Sequence, residues 1–499
     1  MTTKDAFVEL TALLRHLHVL DSVSMLLGWD EQVNLPADSG DQRAEQQAVM
    51  AEVRHVAATQ SRLGEVLGVL EKNADRLSAD QAAVVHEARL EYDRATRLPP
   101  DFVREQAAQQ SRGFHIWAQA RADNDFAAYA PVLDKNLELA RRQAGYLGWA
   151  GREYDCLLDL SDPGMTAAVV AGLFAELKQA LVPLVRTIAA APRQAPVGLL
   201  RGFPIAAQEI FLREVTARLG FDYRHGRIDV ALHPFCSGTG ADTRLTTRYR
   251  EDDPLKALFG SIHEAGHGLY QQGLPRDLPG TALDSHAGMG VHESQSRLWE
   301  NQVGRSRGFW RCFEPRWREL FPTQTAGVAS EQLYLAINAV KPGLIRVEAD
   351  EVTYNLHVIL RFELEQRLMA GTLAVCELPA AWNTAMQDML GLTPPSDREG
   401  VLQDVHWSGG AFGYFPSYTL GNMMAAQLWY RALALRPEME ADFARGDFAW
   451  LLNWLRTEVH AAGRRYPMPE LLRRVTGEPL SPQPLVRYLR ERYLPLYTA

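Results

Sequence analysis

The stretch Asp252-Asp253-Pro254-Leu255-Lys256-Ala257-Leu258-Phe259-Gly260-Ser261-Ile262-His263-Glu264-Ala265-Gly266-His267-Gly268-Leu269-Tyr270-Gln271-Gln272-Gly273 carries its own start and stop signals. Asp253 is a capping residue type, and Pro254 follows where its missing N–H costs nothing. Leu255, Leu258, Phe259, Ile262, Leu269 and Tyr270 recur at helical spacing, and Gly273 marks the end. The spacing predicts an amphipathic helix with His263 and His267 pointing from one face.

Two imidazoles so placed can share one cation. Glu264 leaves the helix beside that face and can take a proton from water instead of binding the metal. The competing reading, two hydrogen-bonded core histidines, has to bury two His and one Glu along an apolar face, which is costly without partners. A metal site also needs a third protein ligand and an open position. The Gly and His that would extend the motif are replaced here by Tyr270 and Gly273. The next candidates are Glu293 and Glu300, within Val291-His292-Glu293-Ser294-Gln295-Ser296-Arg297-Leu298-Trp299-Glu300, where Gly288-Met289-Gly290 suggests a helix start near Val291. Glu293 then lies in the first turn and is the preferred ligand. Glu300 is either a partner that orients a histidine or, by preference, an ordinary exposed charge. Water acidified by the cation, with Glu264 as base, attacks a polarised carbonyl, and peptide hydrolysis is the commonest use of this arrangement.

Helical periodicity extends outward along the chain. Residues 5–30 (with Leu10, Leu13, Leu14 and Leu20), Ala79 to Thr96, Asp125 to Tyr146 and Thr166 to Ala190 all read as helices. The stretch from Ala189 to Pro204, with Pro192, Pro196, Gly198 and Gly202, is a candidate hinge. It separates an N-terminal helical region, 1–198, from a zinc-binding catalytic region, 199–499, the two making one catalytic unit. One place breaks the pattern. Arg227 to His233 and Thr243 to Arg250 alternate, and between them lies the turn-rich Cys236-Ser237-Gly238-Thr239-Gly240. Two short strands joined by a glycine-containing loop are expected there, a small β-ribbon beside the zinc helix.

The 499 residues allow a large core, and 46% hydrophobic with 23% charged residues is ordinary globular composition. A net charge of −9 with no block of like charge argues against nucleic acid or an anionic membrane as partner. The N-terminus shows neither the apolar stretch of a signal peptide nor a membrane-length run. Cys156, Cys236, Cys312 and Cys376 lie far apart and read as buried free thiols of a reducing, cytoplasmic compartment.

Several short stretches resemble one family, the carboxypeptidase Taq metallocarboxypeptidases. They are His233-Pro234-Phe235, Asp242-Thr243-Arg244-Leu245-Thr246, the zinc helix, His292-Glu293-Ser294-Gln295, Ile345-Arg346-Val347-Glu348-Ala349-Asp350 and Gly400-Val401-Leu402-Gln403-Asp404-Val405-His406-Trp407. Each is weak alone, and the six in family order are specific. Leu27-Gly28-Trp29-Asp30 and Glu91-Tyr92-Asp93-Arg94-Ala95-Thr96 extend the likeness to the N-terminal half, while Ala37 to Arg43 departs from the Gly-rich pattern.

The resemblance implies a mostly helical fold similar to neurolysin and angiotensin-converting enzyme, with a long cleft. It implies release of C-terminal residues from peptides with broad specificity, sparing proline, usually by a homodimer. Glu293 becomes the third ligand, and one Zn2+ per chain, or Co2+, becomes the cofactor. An exopeptidase must recognise a terminal carboxylate, which a guanidinium does bidentately. Arg346, in its motif, is the first choice and Arg244 the second, against the reading that each pairs with a neighbouring acid to hold the fold. His233 and Phe235 either line the cleft or are structural. The glycine-rich Trp407 to Tyr418 is expected to be a loop able to move. His406, Tyr414 or Tyr418 is a candidate to stabilise an oxyanion, with aromatic packing as the alternative for the tyrosines.

Overall fold

A computed structural model describes residues 1–498. The chain forms two compact units, each assembled from three separated segments. The first comprises Met1–Thr96, Pro196–Ile337 and Leu428–Glu478; the second comprises Arg97–Ala195, Asn338–Gln427 and Pro479–Ala499. One passage between units falls inside the Pro- and Gly-rich stretch at 189–204.

In the first unit, helix Thr3–Val33 starts at a capping box in which Thr2 and Asp5 satisfy each other's backbone donors. It buries Ala6, Leu10 and Leu14 against Leu63, Val66, Leu67 and Leu70 of Ser61–Glu71 and Val84, Val85 and Ala88 of Ala79–Arg97. By length and mean hydropathy, Thr3–Val33 reaches what a membrane span needs, as does Ala167–Ala189 in the second unit. The sequence reading allowed the N-terminus no such length. Lys4, Asp5, Glu9, Arg15, Asp21 and Asp30 interrupt the first helix. The second buries Val170, Phe174, Leu177 and Leu181 in the core of its own unit.

At the centre of the first unit lies helix Pro254–Gly273, as expected from its sequence, although Asp253 makes no side-chain cap bond. Ile262, Ala265, Leu269 and Tyr270 are completely buried. Each large apolar side chain so placed contributes about 1.5–3 kcal/mol. One side of this helix packs on a small sheet, and the other on helix Met289–Arg297.

The sheet differs from the expected two-stranded ribbon. It has three strands, β1 (Gly226–Val230), β2 (Cys236–Thr239) and β3 (Asp242–Thr247), in the order β1-β3-β2. β1 runs parallel to β3, and β2 antiparallel to it. The turn-like run Cys236-Ser237-Gly238-Thr239 is therefore itself a strand. Gly238 disguises it: its φ is +103°, and a Cβ there would lie 1.9 Å from the Asp242 carbonyl oxygen. A side chain is impossible where the hairpin closes so tightly. The connection from β1 to β2 carries His233-Pro234-Phe235. Thr246 ties it down, its hydroxyl accepting from the Phe235 N–H at 2.8 Å and bonding the His233 carbonyl at 3.3 Å. Thr247 and Ser261 then link β3 to the central helix through hydroxyls 2.9 Å apart.

The second unit is helical. Phe174 and Tyr154 pack on Phe362 of helix Tyr354–Met369. The glycine-rich run from Trp407 is fixed at several points: Asn136 Nδ2 donates to the Trp407 and Ser408 carbonyls at 2.7 and 3.1 Å, and the Gly413 N–H donates to Glu365 Oε2 at 3.0 Å. Its first part is a 3-10 turn, His406–Gly409, and its end already belongs to helix Pro416–Leu435. The four cysteines are free as expected, but only Cys156 is buried and Cys376 is exposed.

The two helices that face each other at the centre of the first unit approach at Gly266. A Cβ on Gly266 would lie 2.6 Å from Ser296 Cα and 2.8 Å from the Gln295 carbonyl oxygen, both backbone atoms that cannot swing away. Gly266→Ala is therefore expected to cost about 1–3 kcal/mol of stability in chemical denaturation and to weaken divalent-metal binding. Wild-type stability and metal affinity in that variant would show that this approach carries no constraint.

Candidate metal centre

His263 and His267 extend from adjacent turns of the central helix, with ring centroids 4.8 Å apart. Across from them, Glu293 projects from helix Met289–Arg297, which starts two residues earlier than expected and so puts Glu293 in its second turn. Glu293 Oε2 lies 3.6 Å from His263 Nε2 and 3.5 Å from His267 Nε2. Donor atoms of all three residues gather within 4.8 Å of one another. These separations are too long for hydrogen bonds. The two glutamate–histidine separations match the spacing of about 3.3–3.6 Å between two donors sharing a tetrahedral cation at about 2.0–2.2 Å. Two imidazole nitrogens and one carboxylate oxygen thus fit a divalent metal with a position left open.

The opposite ring nitrogens are both engaged, which sets the tautomers. Glu300 Oε2 lies 2.9 Å from His263 Nδ1, so Nδ1 carries a proton and Nε2, on the side of Glu293, is the nitrogen placed to bind a cation. His267 Nδ1 lies 2.5 Å from His292 Nδ1. Arg297 joins the two glutamates: its Nε donates to Glu293 Oε1 at 2.6 Å and its Nη1 to Glu300 Oε2 at 3.1 Å. Arg305 sits 3.7 Å from Glu300 Oε1. Ser296 Oγ lies 3.2 Å from Glu293 Oε2. Glu300 is thus no exposed charge, contrary to the preferred sequence reading. It is buried within Leu298–Val303, a π-helical continuation of the glutamate helix in which every side chain is buried.

Electrostatics follow from this burial. Desolvation pushes the Glu264 carboxyl up; His263 opposes this, the charges of Glu293 and Glu300 add to it, and the balance lies at about 7. Burial would also raise Glu300, but Arg297 and the bond to His263 outweigh it and hold the carboxyl at about 2. Burial lowers His263, yet Glu293 and Glu300 overcome it and keep the ring above its ordinary value. His267 is held far below, first by burial and then by His292 and His263. Glu264 itself is buried, and no side chain among the described residues hydrogen-bonds to it.

The other candidates from the sequence fall into two groups. In the first unit, Arg244 grips Asp242 of its own motif through Nε at 3.0 Å and Nη2 at 2.9 Å, and its guanidinium lies 4.1 Å from the Trp29 ring centroid. His233 is exposed. In the second unit, Arg346 is buried. Its Nε and Nη2 donate to Asp404 Oδ1 at 3.0 and 2.8 Å, and its Nη1 to the Tyr354 hydroxyl at 3.0 Å. Arg361 holds the other oxygen of Asp404 at 2.7 Å. Gln403 Oε1 accepts from both the Arg346 N–H and Arg361 Nη2. Burial raises Asp404, but the two arginines hold it well below the usual carboxylate range. His406 Nε2 lies 3.1 Å from the Tyr418 hydroxyl, and Tyr414 packs near both rings. Burial, then Arg346, lowers His406 to about 4.

Sequence reasoning missed Arg297, Arg305 and the role of His292. Arg297 was readable in principle, because it stands four residues after Glu293 and three before Glu300 on one helix face. His292 was not, since its partner lies in another helix.

The model of the carboxypeptidase Taq (M32) metallopeptidase family matches residues 9–493. The chain is 42% identical over 511 aligned residues, covering 100% of both chains, to thermostable carboxypeptidase 1 of Thermus thermophilus. It is 38% identical to carboxypeptidase 1 of Bacillus subtilis, covering 98% of each. An M32 carboxypeptidase crystal structure from Deinococcus radiodurans superposes with a TM-score of 0.95 at 45% identity, covering 99% of each chain.

Removing the carboxylate behind His263 tests the network. Glu300→Ala is expected to weaken divalent-metal binding about 10–100-fold, measured by competition with a chromophoric chelator. Unchanged affinity would mean that Glu300 only fills space.

Proposed function

This chain belongs to the carboxypeptidase Taq (M32) family of metallopeptidases and is a metallocarboxypeptidase, and we propose that it releases C-terminal residues from peptides with broad specificity, sparing proline, by the chemistry of one centre: His263, His267 and Glu293 as metal ligands and Glu264 as general base. The observation that carries this reading is the convergence of two imidazole Nε2 atoms and Glu293 Oε2 beside a buried carboxylate that no described side chain engages.

The mixed nitrogen and oxygen donor set suits zinc, with cobalt as the alternative. When bound, such a cation supplies Lewis acidity, which acidifies water and polarises a carbonyl oxygen. Glu264 receives a proton from the attacking water on its carboxylate and delivers it to the nitrogen of the departing amine. Glu300 holds the Nδ1 proton of His263, and Arg297 occupies Glu293 Oε1, so that Oε2 is the oxygen turned to the histidines.

Arg346 and Arg244 are the proposed receivers of the terminal carboxylate. Each already grips an aspartate, yet Nη1 of Arg244 bonds no described residue, leaving two N–H donors for a ligand. One of His406, Tyr414 and Tyr418 stands as the proposed oxyanion donor. His233 is a proposed substrate contact, its exposure being compatible with that. A cytoplasmic homodimer acting on free-ended peptides, away from nucleic acid and membranes, completes the proposal; the net charge of −9 supports the last part.

Glu264→Gln is expected to retain stoichiometric metal and to lose about 10²–10⁴-fold in turnover, measured on a chromogenic peptide beside metal analysis; full activity would remove Glu264 as the base. Paired peptides with a free and an amidated C-terminus test exopeptidase action. Cleavage of the free-ended peptide alone is expected, and equal cleavage of both would make the protein an endopeptidase.

A further inference from the structure

The metal ligands proposed above lean on different supports. His263 is backed by the Glu300 carboxylate, the usual kind of partner for a ligand histidine. Behind His267, among the described residues, stands His292: its Nδ1 lies 2.5 Å from His267 Nδ1, and its backbone is also within hydrogen-bond reach of the His267 ring. We propose that His292 is a positioning residue for His267: its neutral imidazole accepts the Nδ1 proton and so fixes the tautomer and ring angle in which His267 Nε2 faces the metal. The inference rests on the reading of His267 as a ligand.

Geometry leaves one consistent assignment of protons. A nitrogen that binds a cation must offer a lone pair, and His267 Nε2 is the atom that faces Glu293 Oε2, at 3.5 Å. His267 Nδ1 therefore carries the hydrogen. Any group at hydrogen-bond distance from it must accept, so His292 presents a bare Nδ1 and carries its own hydrogen on Nε2. The His292 ring is held for this task. Its backbone N–H donates to the Gly288 carbonyl at 3.1 Å, and the ring lies edge-on to Tyr270 and to His286, with both centroids 5.2 Å away. Tyr270 stands on the same helix as His267 and donates nothing to the metal. It is a wall that keeps His292 in line, itself fixed because its hydroxyl accepts from the Ala287 N–H at 3.2 Å.

An imidazole in this position differs chemically from a carboxylate. It orients the ligand without placing a second full negative charge beside the site, so the cation is neutralised less than with two carboxylate-backed histidines. The pair His292-Glu293 thus performs two adjacent tasks: the glutamate side chain gives an oxygen to the metal, and the preceding histidine fixes the ligand opposite.

The test compares the full-length wild type with His292→Asn, whose side-chain carbonyl can stand where Nδ1 stood, and His292→Phe, which keeps a ring and removes the acceptor. Zinc affinity is measured by chelator competition and the melting temperature on the metal-free proteins. His292→Phe is expected to raise the zinc dissociation constant about 10–100-fold and His292→Asn by no more than about threefold, with metal-free melting within about 2 °C of wild type. Wild-type affinity in His292→Phe, or an Asn variant as weak as Phe at unchanged melting, would overturn the proposal. Should the Phe variant not fold, nitrogen-15 imidazole spectra of the zinc-loaded wild type decide. His267 protonated on Nδ1 and His292 on Nε2 is the expected pattern, and His292 protonated on Nδ1 overturns it. Failure of the underlying reading looks different: His267→Ala would then keep stoichiometric zinc.

Discussion

Two helices can bring a carboxylate and two imidazoles to one point only if their backbones come close, and the contact of Gly266 with Ser296 and Gln295 sets that distance. Everything in the centre is arranged around it. The histidines stand one turn apart on one helix, and Glu293 stands on the other at a height between them. Glu293 Oε2 therefore reaches both Nε2 atoms at 3.5 and 3.6 Å. A side chain at Gly266 would force the two helices apart and change the distance between Glu293 and the histidines.

Close approach also concentrates charge. Glu264, Glu293 and Glu300 are buried together beside the half-buried Arg297 and Arg305, and each carboxylate there has lost its hydration, at a cost of several kcal/mol that only good partners offset. Three carboxylates against two guanidinium groups leave the cluster acidic when all are ionised, which suits it to a divalent cation. The second unit solves a similar problem differently: Arg346 and Arg361 share Asp404, and Gln403 accepts from both residues. Two motifs far apart in sequence, one around Arg346 and one around Asp404, are thereby a single ion-pair cluster.

The helix bearing His263 and His267 was legible because its signals are local: a cap, a proline, a 3.6-residue period and a four-residue histidine spacing. Helices Ala79–Arg97, Phe126–Tyr146 and Ala167–Ala189 were legible within a residue or two for the same reason. The place of Glu293 beside the two histidines was anticipated by position and by family likeness together. What escaped depends on contacts between distant residues. Parallel pairing of β1 with β3 leaves no local pattern, and Gly238 makes a strand look like a turn. Glu300 looked like a surface acid because only packing around Leu298–Val303 buries it. The aspartate that occupies Arg346 lies 58 residues away, beyond the reach of any spacing rule.

Anomalous X-ray diffraction from crystals of the metal-loaded protein, collected on both sides of the zinc absorption edge, bears most directly on the centre. One dominant peak per chain is expected, about 2.0–2.2 Å from His263 Nε2, His267 Nε2 and Glu293 Oε2. A dominant peak elsewhere, or one ligated by a residue other than these three, would contradict the assignment.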